Sequence, residues 1–143
     1  MNGRFFLDTN VFVYSFDRSL PAKCRRATQL IRQAIASRKG IVSYQVVQEF
    51  FNVALRRFAQ PMNVAEAEQY LATVFRPLLA VHSSQALYGV ALRLSGRYRL
   101  PWYDSLILAA ALEGHCSVLY SEDLQSGSVL GGARVENPFA VGD

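Results

Sequence analysis

The sequence predicts an α/β fold, a three-layer α/β/α sandwich around a central parallel sheet, with residues 1–143 forming one domain. Three observations carry that prediction. Short apolar runs such as "FFL" (5–7) and "SVLY" (117–120) have the length of buried strands, segments with helical periodicity stand between such runs, and acids follow both of those two runs. Strands that alternate with helices are joined by crossovers, which place helices on both faces of a parallel sheet.

The elements follow in order. Phe5 to Leu7 form the first strand, and Pro21 to Arg38 a helix that opens on a proline and closes before Gly40. Ile41 and Val42 are a second strand, Ser43 is a candidate cap, and Val46, Val47, Phe50, Phe51 and Ala54 give the next helix its apolar stripe. Asn63 with Glu66 reads as a capping arrangement for a helix to about Phe75. Leu78 to Val81 form a third strand, and the helix after Ser83 and Ser84 runs to about Leu94. Pro101 opens "PWYDSLILAAALEG", in which Trp102 and Tyr103 read as packing residues at a helix start rather than as base-stacking platforms, and Gly114 as the stop. "SVLYSED" is a fourth strand ending in acid, and Val135 belongs to a short last one. The stretches Arg97–Leu100 and Gly127–Gly132 are expected as surface loops, the second mobile because of its Gly and Ser content.

Composition narrows the function classes. With 51% hydrophobic and 18% charged residues the chain is not a disordered tail. The net charge of +4, carried by basic residues of which 13 of 15 are Arg, points to a polyanionic partner, because arginine binds phosphate bidentately. Cys24 and Cys116 lack CxxC spacing and are expected as reduced thiols. The longest apolar run, Leu106 to Leu112, is too short to span a membrane, and the N-terminal apolar stretch is interrupted at Asp8, so a cytoplasmic protein is expected. His82 and His115 have no zinc-ligand spacing, and no GxSxG, Walker or GxGxxG motif occurs.

The acids are the more informative residues. In open parallel sheets ligands bind outside the carboxyl ends of the strands, where Asp8 and Asp123 both fall. The two share one crevice if their strands are neighbours. Asp104 opens a helix that is apolar nearly all round and shares the face of Ile107, Leu108 and Ala111, so it needs a partner unless it serves only the helix dipole. Asp8 also suits an N-cap or Asx turn, and Asp123 a turn. Glu49 lies at the border of an apolar stripe, and position alone does not choose it over Glu66 or Glu68. An oxygen-only cluster selects Mg²⁺ or Mn²⁺ over zinc. Acids set within an arginine-rich surface suggest phosphodiester hydrolysis.

Four segments, "FLDTNVFVYSF", "VVQEFFNVALR", "LPWYDSLILAAAL" and "VLYSEDLQSG", together resemble the PIN-domain family, and in particular the VapC-type toxins of toxin–antitoxin pairs. The resemblance covers nearly the whole chain, with the motifs in order. It implies a metal-dependent ribonuclease that leaves 5′-phosphate and 3′-hydroxyl ends. It assigns Asp8, Glu49, Asp104 and Asp123 to the catalytic and metal-binding positions for Mg²⁺ or Mn²⁺, and Asn10 and Ser121 to polar supporting positions. Many relatives carry a further aspartate a few residues beyond the fourth-strand acid, where this chain has Leu124, Gln125, Ser126 and Gly127. Glu122 compensates in part if it points inward. Arg56, Arg57, Arg97 and Arg99 are candidates for guiding RNA, set against the reading that they are ordinary solvated charges. The resemblance also implies a cognate antitoxin lying across the acidic groove and a homodimer joined through apolar helices. The rival readings are a non-catalytic nucleic-acid-binding or partner-regulating module, and a phosphate-transferring enzyme with Asp8 as nucleophile; the latter needs an acid where Asn10 stands.

Overall fold

The computed structural model describes residues 3–140. Six strands, β1 (Arg4–Leu7), β2 (Gly40–Ser43), β3 (Leu79–Val81), β4 (Cys116–Tyr120), β5 (Val129–Leu130) and β6 (Ala133–Glu136), form one sheet in the order β3-β2-β1-β4-β6-β5. All pairings are parallel except that of β5 with β6. In β1 the consecutive residues Phe5, Phe6 and Leu7 are all buried, and so are all four residues of β2. Successive strand side chains point to opposite faces, so this burial requires cover on both sides of the sheet.

The helices supply that cover: α1 (Thr9–Tyr14), α2 (Pro21–Ser37), α3 (Tyr44–Ala54), α4 (Val64–Tyr70), a π-helical turn over Leu71–Phe75, the short α5 (Arg76–Leu78), α6 (Gln85–Tyr98) and α7 (Trp102–Glu113). Every residue of α7 from Ser105 to Ala111 is buried, as its all-round apolar sequence requires. The capping box at α4 is formed, with Glu66 N donating to Asn63 Oδ1 at 2.8 Å and Asn63 N donating to Glu66 Oε1 at 3.0 Å.

Several elements differ from the sequence expectation. α1 follows Asp8 without a break, in a stretch to which the periodicity assigned no helix. The helix expected to end near Phe75 continues through a π turn to Leu78. α6 runs to Tyr98 rather than Leu94, which places Arg97 on a helix and Arg99 at its left-handed C-cap (φ 57°). The roughly 1 kcal/mol helix penalty of Gly96 is outweighed by packing and by Tyr98, whose hydroxyl accepts a 2.9 Å bond from Gly131 N. The Gly127–Gly132 stretch is not all loop: Gly131 (φ 60°) and Gly132 (φ 99°) turn β5 back on β6, the geometry a two-residue hairpin needs. Tyr103, expected to pack, stands 65% exposed, while Trp102, 38% exposed, leans on Tyr88.

Two packing features hold the site-bearing elements. Phe50, fully buried on α3, meets Phe12, Phe16, Phe51, Phe58, Tyr70 and Phe75 with ring centroids 4.9 to 6.5 Å apart. That cluster fixes the rotation of α3 and hence the direction of its neighbour Glu49. At the start of β2, a Cβ on Gly40 would lie 2.7 Å from Ala34 Cα and 2.9 Å from Phe5 Cε2. Gly40→Ala is therefore expected to lower stability by about 1–3 kcal/mol, read as a reduced urea midpoint at unchanged m-value.

Candidate active site

The chain leaves β1 toward β2 and β3 on one side and returns to β4 on the other, so the strand order reverses between β1 and β4. A crevice opens at the carboxyl ends of strands flanking such a reversal. Leu7 pairs with Tyr120, which sets Asp8 beside Ser121, and Asp8 N donates to Tyr120 O at 3.0 Å. The Asp8 carboxylate, 6% exposed, accepts from Thr9 N on Oδ1 at 2.7 Å and from the Ser121 hydroxyl on Oδ2 at 2.8 Å. Asp8 thus caps α1 and also faces the crevice. Burial, with the nearby Glu49 and Asp123 charges adding to it, raises its pKa to about 6 against the lowering effect of those two hydrogen bonds.

Glu49 reaches the same place from α3. Its Oε1 accepts from the Thr9 hydroxyl at 2.6 Å and its Oε2 from Gln45 Nε2 at 3.0 Å. Gln45, buried one turn earlier, also donates to the Tyr103 carbonyl at 3.2 Å, tying α3 to the first turn of α7. From that turn Asp104 projects, partly buried, with its pKa raised by burial and then by the Asp123 and Glu49 charges. Asp123 is exposed; its Oδ2 accepts from Asn10 Nδ2 at 3.1 Å and its backbone N–H donates to Ser121 Oγ at 3.3 Å.

Asp8 and Asp104 therefore each lie within electrostatic reach of Glu49 and Asp123, the four brought from β1, α3, α7 and the loop after β4. Among the described residues the two ion pairs are Lys23–Glu122 and Arg134–Glu136, so no basic side chain neutralises the four acids. This donor set, all oxygen and short of positive charge, fits a hard divalent cation. Among the described residues no three acids, histidines or cysteines are already drawn together as a ligand cluster, so closing on an ion requires side-chain rotation. The exposed Asp123 and the partly buried Asp104 are the side chains freest to make it.

Glu122 is not part of this group, which corrects the expectation that it compensates for a missing aspartate. Its Oε1 accepts from the Tyr14 hydroxyl and its Oε2 from Lys23 Nζ, each at 2.6 Å. Burial favours its protonated form, but the bonds from Lys23 and Tyr14 hold its pKa below the ordinary glutamate value. Arg56, Arg57, Arg97 and Arg99 are all exposed and enter neither ion pair. Sequence reasoning missed Thr9 and Gln45. Thr9 carried no signal beyond adjacency to Asp8, but Gln45 stands four residues before Glu49, the helical spacing at which a glutamine can hold a carboxylate.

Comparison with known proteins agrees with this architecture. The model of the PIN domain matches residues 5–126. Among curated proteins, none matches in sequence. Three solved structures share the fold at low identity. A toxin–antitoxin complex from Klebsiella pneumoniae has a TM-score of 0.64 at 20% identity, over 93% of this chain and 96% of that one. FitAB bound to an IR36 DNA fragment has a TM-score of 0.68 at 19% identity, over 96% of each chain. VapC20 from Mycobacterium tuberculosis, a sarcin–ricin-loop-cleaving toxin, has a TM-score of 0.57 at 21% identity, over 83% of this chain and 89% of that one. With the family match spanning β1 to the loop after β4, the chain belongs to the PIN-domain family.

Proposed function

We propose that the protein is a Mg²⁺- or Mn²⁺-dependent endoribonuclease, the toxin half of a toxin–antitoxin pair. The observation that carries this reading is a group of four carboxylates, in which Asp8 and Asp104 each feel the charges of Glu49 and Asp123, with no ion pair to a described basic side chain, at the strand-order reversal of a PIN domain. The structural similarity to toxin–antitoxin complexes and to an RNA-cleaving toxin supports it.

Asp8, Asp104 and Asp123 would hold the ion, with Glu49 joining directly or through water. Such a cation, when bound there, would supply charge neutralisation at a phosphate and a water of lowered pKa. The chain's own residues prepare the ligands. Ser121 and the Thr9 N–H fix both oxygens of Asp8, the Thr9 hydroxyl and Gln45 fix both of Glu49, and Asn10 restrains Asp123. Arg56, Arg57, Arg97 and Arg99 would contact backbone phosphates, which position RNA without reading sequence. An antitoxin segment bearing an arginine would satisfy the acids and block the groove, a charge-assisted contact suited to inhibition. Homodimer formation and a cytoplasmic location belong to the same reading; no helix among the described residues is long and apolar enough to cross a membrane.

Incubation of the purified protein with a pool of cellular RNA, with Mn²⁺ or with EDTA, tests the proposal. Metal-dependent cuts that vanish in Asp8→Asn are expected; RNA binding without cuts would replace the nuclease by a binding module. Thr9→Val, which removes only the hydroxyl that orients Glu49, is expected to lower the cleavage rate by about 10- to 100-fold, as loss of an outer-shell partner typically does. Thr9→Ser should restore most of it, measured as single-turnover rates.

A further inference from the structure

A cavity of about 420 Å³ opens where the first turns of α3, α6 and α7 meet, lined by Tyr44, Gln48, Ser83, Tyr88, Trp102 and Tyr103. Three of its aromatic side chains face water: Tyr88 is 41% exposed, Trp102 38% and Tyr103 65%. Tyr88 and Trp102 lie with ring centroids 6.4 Å apart at 41°. The walls also carry tyrosine hydroxyls, a serine hydroxyl and a glutamine amide, which can hydrogen-bond a polar ring edge. Burial, and then the neighbouring Tyr88 hydroxyl, push the Tyr44 phenol up to about 12.

The cavity adjoins the acids through the chain itself. Tyr103 precedes Asp104, Gln48 precedes Glu49, and the Gln45 amide bonds both Glu49 and the Tyr103 carbonyl. We propose that this cavity is the stacking subsite for one unpaired nucleobase, whose backbone phosphate is thereby delivered to the carboxylates. The proposal rests on the nuclease reading for the chemistry next door and names the substrate class as single-stranded RNA. Bases of a duplex are stacked on one another and offer no free face, whereas unpaired bases stack on exposed aromatic rings.

Trp102 is the single tryptophan of the chain, so its fluorescence reports on the cavity directly. A short mixed-sequence single-stranded RNA is titrated into the protein in EDTA, beside the same sequence as a duplex and an abasic strand of equal length. Affinity is followed by anisotropy of the labelled RNA. The single strand is expected to quench Trp102 and the abasic strand to leave it unchanged. Tyr103→Ala should weaken single-strand binding roughly tenfold or more, and Tyr103→Phe should preserve it. Equal affinity for the base-bearing and abasic strands, with Tyr103→Ala unaltered, would overturn the subsite. So would a Tyr103→Ala variant that dissociates an oligomer in sedimentation without a change in RNA affinity, since the face would then join copies of the chain. Quenching and a Tyr103 effect without any Mn²⁺-dependent cleavage would uphold the subsite and remove the nuclease reading.

Discussion

Asp8→Asn is expected to abolish RNA cleavage, by about a thousandfold or more, while making the metal-free protein more stable. The two effects share one cause. Asp8 is buried beside other acids, and its pKa of about 6 lies above the ordinary aspartate value of 3.8. The folded state therefore binds a proton more tightly than the unfolded chain. Its contribution to stability is fully present below pH 3.8 and is lost as the pH rises through about 6. Above that pH the charged carboxylate costs roughly 3 kcal/mol relative to an unshifted aspartate. Asparagine has the same shape, can accept from Thr9 N and can donate to Ser121, and carries no charge. After allowance for the weaker neutral hydrogen bonds, a gain of about 1–2 kcal/mol is expected at pH 7.5 in EDTA, a rise of roughly 3–8 °C in Tm. Thermal denaturation followed by circular dichroism measures it. A variant that is inactive and less stable than the parent would mean that Asp8 serves the fold, not the chemistry.

Metal binding is expected to reverse this order. In the parent protein Mn²⁺ should raise Tm, by about 2.7 kcal/mol of added stability at a hundred times its dissociation constant, because the cation stabilises charges that otherwise repel. In Asp8→Asn the same addition should do little. Protons compete with the metal for Asp8, so the apparent affinity should fall about tenfold per pH unit below roughly pH 6 and level off above it. Cleavage should follow the same curve and disappear in EDTA. Isothermal titration with Mn²⁺ at pH 5, 6 and 7.5 decides the matter. A dissociation constant that does not change with pH would place the ion away from Asp8.

The alternation of short apolar runs with helical periods, the all-round apolar α7 and the acids that follow two strand-like runs were readable in the chain, because each depends on neighbours within one or two turns or on strict alternation. The capping box at Asn63 and Glu66 was readable for the same reason. Two elements set by longer-range packing were not. α6 passes through Gly96 to Tyr98, which packs on the core and accepts from the distant Gly131, and β5 is a strand only because β6 is there to pair with it. The site divides along the same line. Asp8, Asp104 and Asp123 could be marked from local position, whereas Glu49 needed the family pattern, since an edge-of-stripe glutamate has many equivalents. Only the folded chain decided that β1 and β4 are neighbours, that Thr9 and Gln45 hold Glu49, and that Glu122 turns to Lys23 and Tyr14. Those contacts join residues up to 113 positions apart, and periodicity cannot specify them. The sequence by itself determined which groups carry the charge; tertiary structure determined which of them repel one another, because burial and mutual distance exist only after the sheet has closed.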